Sequence, residues 1–174
     1  NAIAVSGSDV YIAGEDYRND KFCYWVNGVQ YDLPITGEDC YTNAIAVSGN
    51  DVYILGDDQG EDDSKPCYWV NGVQYILPIP GEVGIAEGIA VSGSNVYISG
   101  TYSASNGYPK PCYWLNGQRH DLPITGIAGG ATAIAVSGAD VYISGSYYDN
   151  LSSGATPCYW LNGIQHTLPV PTTN

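Results

Sequence analysis

Apolar positions in this chain come in short alternating runs, never in a longer helical stripe. In Ala2-Ile3-Ala4-Val5 small and large side chains alternate, so Ala2 and Ala4 share one face of an extended segment and Ile3 and Val5 the other. Gly7-Ser8-Asp9 is turn chemistry, Val10 to Ala13 is a second extended run, and after a polar stretch Cys23 to Val26 is a third. Asn27-Gly28 is the strongest short hairpin signal, because both residues tolerate positive φ. Val29 to Leu33 is then a fourth strand, ended by Pro34, which has no N–H to offer a ladder. The pattern predicts four antiparallel strands and no helix.

The whole pattern recurs. Units 1–42, 43–86, 87–131 and 132–174 account for all 174 residues. They open N-A-I-A-V-S-G-S-D-V-Y-I at Asn1, N-A-I-A-V-S-G-N-D-V-Y-I at Asn43, E-G-I-A-V-S-G-S-N-V-Y-I at Glu87 and T-A-I-A-V-S-G-A-D-V-Y-I at Thr132. Each carries C-Y-W-V-N-G or C-Y-W-L-N-G, from Cys23, Cys67, Cys112 and Cys158. A period of roughly 40–50 residues signals radial or linear repetition. The expected fold is all-β: a single four-bladed β-propeller domain with four antiparallel strands per blade. Apolar residues on both faces suit a sheet held between neighbours. Trp25, Trp69, Trp114 and Trp160, on the third strand, are read as packing between blades where the wedge widens; a ligand-stacking platform is the other reading. The units begin at a first strand and end after a fourth, so no blade is shared, and closure must come from packing of the fourth unit on the first or from a covalent link. A closed four-blade ring is the expectation. Eight blades from two chains, or a window on a longer array, are the alternatives.

These motifs resemble known propellers. V-S-G-x-D-V-Y-I-x-G followed by C-Y-W-x-N-G is similar, in all four units, to the Y-W-x-N-G repeat β-propeller proteins of secreted bacterial type. The order of an Ala-rich strand, a G-x-x-V-Y-I strand and a Y-W strand more distantly resembles hemopexin-like four-bladed propellers. The first resemblance implies the fold and almost nothing of function. The second implies cation or chloride sites in a central channel, formed by backbone groups near residues such as Ala4 or Ala46; no side chain here demands one.

Charge narrows the function classes. Eighteen acidic residues against five basic ones give a net charge of −13, which argues against nucleic acid, since phosphate binding needs a basic stripe. No apolar run approaches the ~20 residues of a membrane span. The acidity is uneven: residues 1–86 hold 14 acidic and 3 basic residues, residues 87–174 hold 4 and 2. The nearly neutral second half is therefore the better candidate for a protein contact. The acidic run Asp57, Asp58, Glu61, Asp62 and Asp63 lacks calcium-loop spacing and is expected to be a solvated loop. Asp9, Asp51 and Asp140, replaced by Asn95 in the third unit, are turn acceptors that need no charge.

Catalytic inventory is missing. His120 and His166 fall where Tyr31 and Tyr75 stand in the other units, a packing or surface slot. Ser6, Ser48, Ser92 and Ser137 recur in every V-S-G and read as turn residues. No nucleophile elbow, phosphate loop, zinc-protease or dinucleotide fingerprint is present, and no enzyme activity, cofactor or metal is expected.

Five cysteines give the sharpest constraint. Cys23, Cys67, Cys112 and Cys158 are equivalent, and Cys40 is extra, in the linker between the first two units. With strands ~4.8 Å apart, equivalent third-strand positions in a four-fold ring lie about 20 Å from one another, while a disulfide needs Cα atoms within about 7 Å. At most one of the four can pair with Cys40. The rest are either buried thiols or partners in bridges to other chains, Cys40, Cys23 and Cys67 being the candidates. Asn150-Leu151-Ser152 is a glycosylation sequon in a variable loop. The chain begins with Asn1 and contains no Met, and is read as a mature or excised product whose targeting segment is out of view. The expectation is a secreted, extracellular, non-catalytic subunit that self-associates into a surface layer or fibre. The alternative is a lectin-like glycan-binding or adhesion module; the unlike loops after each second strand count against four equivalent sugar sites.

Overall fold

The computed structural model describes residues 2–19, 21–36, 39–59, 64–80, 83–103, 107–150, 152 and 154–169. They form four separate four-stranded antiparallel sheets and no helix, so no helix is long and apolar enough to cross a membrane. The first sheet is β1 (Ala2–Ser6), β2 (Asp9–Asp16), β3 (Lys21–Val26) and β4 (Val29–Asp32). The second is β5 (Asp39–Ser48), β6 (Asp51–Gln59), β7 (Ser64–Val70) and β8 (Val73–Ile76). The third is β9 (Val83–Ser92), β10 (Asn95–Ser103), β11 (Pro109–Leu115) and β12 (Gln118–Asp121). The fourth is β13 (Ala128–Ser137), β14 (Asp140–Tyr148), β15 (Thr156–Leu161) and β16 (Ile164–Thr167). Strands adjacent in sequence are adjacent in the sheet throughout.

Turn residues set this meander. In the N-G hairpin both residues have positive φ, 50° at Asn27 and 84° at Gly28, repeated at the three later sites, which matches the right-handed twist of the flanking strands. The same asparagine also ties two turns together. Asn27 Nδ2 donates to Asp9 Oδ1 at 2.8 Å while the N–H of Val10 donates to Asn27 Oδ1 at 3.0 Å. Asn71 with Asp51 and Val52, Asn116 with Asn95 and Val96, and Asn162 with Asp140 and Val141 repeat the clamp. Only an acceptor oxygen is needed at the aspartate position, which is why Asn95 serves in the third sheet.

The opening strands of the later sheets start earlier than the alternation predicts. β5 pairs with β6 from Asp39 onward, with a register shift between Thr42 and Ala44; matching irregularities leave Glu87 and Thr132 without a partner on β10 and β14. An extra residue shifts which face each neighbour presents, so the alternation breaks there. Cys40 is thus a strand residue paired with Asp58 rather than part of a linker. Gly56, Gly100 and Gly145 make room for this extension: an added Cβ would lie 2.0 Å from the Tyr41 carbonyl oxygen, 2.2 Å from that of Ile85 and 2.0 Å from that of Gly130.

The four sheets stack in chain order. β5 lies across β1, β2 and β3; β9 lies across β5, β6 and β7; β13 lies across β9, β10 and β11. Among the described residues the core forms three clusters, one at each of these joints. Among the described residues the fourth sheet has no comparable packing on the first. The expected closure of four blades into a ring by that packing is not what the structure shows: an Ile/Val face of the first sheet and an Ala/Tyr face of the fourth stay open to solvent.

Candidate functional site

The first two joints are built from the same parts, and the third has Gly88 against Ala133 and Ile134 where the others have an alanine. The earlier sheet offers a shallow face of alanines with tyrosines beside them, and the later sheet inserts isoleucine and valine. At the first joint Ala2, Ala4, Tyr11 and Ala13 meet Ile45, Val47, Val52 and Ile54. At the second, Ala44, Ala46, Tyr53 and Leu55 meet Ile89, Val91, Val96 and Ile98. The tryptophan of the later sheet then reaches back. Trp69 Nε1 donates to the carbonyl of Pro34 at 2.7 Å, Trp114 to Pro78 at 3.3 Å and Trp160 to Pro123 at 2.7 Å. The leucine before each of these prolines is buried beneath the joint: Leu33, Leu77 and Leu122 are 6%, 1% and 5% exposed.

The ends of the stack carry the unpaired halves. On the first sheet Ile3 and Val5 are 67% and 65% exposed and Ile12 is 40% exposed, whereas Ile54, Ile98 and Ile143 at the same place are each 1% exposed. Trp25 is only half-buried and, among the described residues, its indole finds no acceptor of the kind its three counterparts use. On the fourth sheet Leu168 is 42% exposed and Pro169 is exposed. Beside them a groove of about 260 Å³ opens over β13, β14 and β15, lined by Ala133, Ala135, Tyr142, Ser144 and Tyr159 among others. Those three strands are the counterparts of the ones that the next sheet's first strand covers at each internal joint.

Trp69, Trp114 and Trp160 are fully buried at the joints between sheets, whereas Trp25 is half-buried. Cys23, Cys40, Cys67, Cys112 and Cys158 are all buried, and none is joined in a disulfide within the chain. Burial pushes the Cys67 thiol up to about 12 and raises those of Cys23 and Cys158, which makes them poor nucleophiles. Asn150 lies in an exposed loop and accepts from the Ser152 N–H at 3.0 Å. His120 and His166 stack on Tyr113 and Tyr159, with ring centroids 4.9 and 4.7 Å apart, as Tyr31 and Tyr75 stack on Tyr24 and Tyr68.

The acidic run needs correcting. Asp57 and Asp58 are not in a solvated loop but buried on β6, at the two joints of the second sheet. Asp57 accepts from Asn43 Nδ2 at 2.6 Å and from the Ala86 N–H at 3.3 Å; Asp58 accepts from Thr36 Oγ1 at 2.5 Å and Gln74 Nε2 at 2.8 Å. Donors from within the second sheet, Asn43 and Gln74, and from either side of it, Thr36 and Ala86, make burial tolerable. Glu61, Asp62 and Asp63 lie outside the described residues. Among the described residues no three His, Cys, Asp or Glu side chains gather as they would around a metal ion. Ala4 and Ala46, the positions the hemopexin-like resemblance pointed to, pack in the joints.

Sequence reasoning identified the packing tryptophans but not the proline carbonyls that receive them, nor the end faces. The signal was there in the repeated L-P after each fourth strand: four L-P dipeptides and four tryptophans, offset by one unit, leave one of each over. No protein-family model and no curated protein matches this chain.

Proposed function

We propose that the protein is a non-catalytic structural module, extracellular in setting, which works by self-association, its four sheets being blades of a β-propeller-type stack extended or closed by further copies. The observation that carries this reading is the pair of uncovered end faces, apolar at one end and grooved at the other, in a chain that covers the same faces three times internally. Exposed apolar faces of this kind mark interaction surfaces. The uneven charge agrees, since the fourth unit has only Asp140 and Asp149 and no Lys or Arg. Association through apolar faces rather than interchain disulfides suits five thiols that are all buried.

Native mass measurement and light scattering, with and without reductant, test it. Concentration-dependent assemblies unchanged by reductant are the expected result. A monomer at all concentrations would remove the reading. Glycan-array binding by such a monomer would favour the lectin-like alternative, for which Tyr17, Tyr41 and the free faces of Tyr31 and Tyr75 are exposed aromatic surfaces.

A further inference from the structure

Building on that self-association reading, we infer that the partner is a second copy of this chain docked head to tail, its first sheet lying on the fourth sheet of the first copy as each internal sheet lies on the one before. In this joint β1 of one copy fills the groove over β13, β14 and β15 of the other. Ile3 and Val5 take the places that Ile45 and Val47 hold against Ala2 and Ala4, and that Ile89 and Val91 hold against Ala44 and Ala46. Their new neighbours are Ala133 and Ala135. The indole Nε1–H of Trp25 donates to the carbonyl of Pro169, completing the series Trp69–Pro34, Trp114–Pro78 and Trp160–Pro123. Leu168, 42% exposed in the single chain, becomes buried as Leu33, Leu77 and Leu122 are.

Three observations select this occupant. The two free faces are unlike, one of projecting isoleucine and valine and one hollowed by alanine, so each fits the other better than it fits itself. The joint continues an interface already made three times within the fold, so its shape has been tested by the chain's own packing. Charge acts in the same sense. The first unit holds seven acidic and two basic residues, the fourth two acidic and no basic ones; joining first to fourth opposes fewer like charges than joining first to first. A contact between different faces is heterologous, and it builds a ring if the rotation closes and a fibre if it does not.

The experiment uses two chains with one blocked end each, Ile3→Arg and Ala135→Arg, followed by analytical ultracentrifugation. Both sites are exposed, and circular dichroism with urea titration verifies that each variant folds like the parent. Each variant alone should be monomeric, its affinity lowered at least about a hundredfold by a charge set against an apolar partner. Mixed one to one, the variants should form a dimer that grows no further, because each supplies one intact face. Trp25→Phe, which removes the hydrogen bond and part of the ring that would fill the joint, should weaken association about thirtyfold or more. Parent chains that associate while either single variant still associates by itself would overturn the head-to-tail geometry and leave self-association standing. A parent chain that stays monomeric removes the self-association reading itself.

Discussion

The indole Nε1–H of Trp69 donates to the carbonyl oxygen of Pro34 at 2.7 Å, tying the middle of one sheet to the segment that ends the sheet before it. Replacing Trp69 with Phe removes the donor, leaves that oxygen unpartnered at a joint and opens a cavity where the larger ring stood. The expected cost is about 2–4 kcal/mol, measured by urea unfolding. Trp25→Phe in the monomer should cost distinctly less, since Trp25 is half-buried and makes no such bond among the described residues.

Gly100 faces the carbonyl of Ile85 and the ring of Trp114 so closely that a Cβ would lie 2.2 and 2.9 Å from them. Because backbone cannot give way as a flexible side chain can, Gly100→Ala should destabilise by about 1–3 kcal/mol. Gly154→Ala is the control: its Cβ would meet nothing within 4 Å, and thermal unfolding should barely change.

The clamp between the two turns of each sheet separates charge from hydrogen bonding. Asn71→Gly keeps a residue that accepts positive φ but loses the bonds to Asp51 and to the Val52 N–H, both 2.8–2.9 Å; a loss of about 1–2 kcal/mol is expected. Asp51→Asn should be close to neutral in the same urea titration, since Asn95 already fills that role at 2.9 Å from Asn116.

Burial pushes the carboxyl of Asp57 above the ordinary aspartate value of 3.8, against the hydrogen bonds from Asn43 and Ala86 that lower it. The native chain therefore keeps this proton to a higher pH than the unfolded chain. The group's contribution to stability is greatest below pH 3.8 and is lost as pH rises through the native value. The stability of the parent minus that of Asp57→Asn should fall with rising pH across that window. A flat difference curve would show that Asp57 ionises alike in both states.

Local chemistry made much of this protein legible in its residues. Alternation placed Ile3 and Val5 opposite Ala2 and Ala4, and Asn27-Gly28 named a hairpin whose φ angles are positive as expected. The repeat of C-Y-W supplied four sheets of four strands, because strand pairing between sequence neighbours depends on little beyond turn geometry and period. The hidden parts involve residues far apart in the chain. Asp57 and Asp58 look like any solvated acidic run until Thr36 on one side and Ala86 on the other are brought to them.

The sequence by itself determined the composition of a joint, since every unit carries the Ile/Val residues, the tryptophan and the leucine-proline that make one, and all but the third, which has Gly88, carry both alanines. Only the tertiary structure decided how many joints form within the chain and which faces remain open. Ring closure depends on the angle at which successive sheets pack, and that angle is a sum over many side-chain contacts between units, not a property of any one unit's pattern. Three joints form, and the halves of a fourth, Ile3 and Trp25 at one end and Leu168 and Pro169 at the other, face solvent or stand half-open to it.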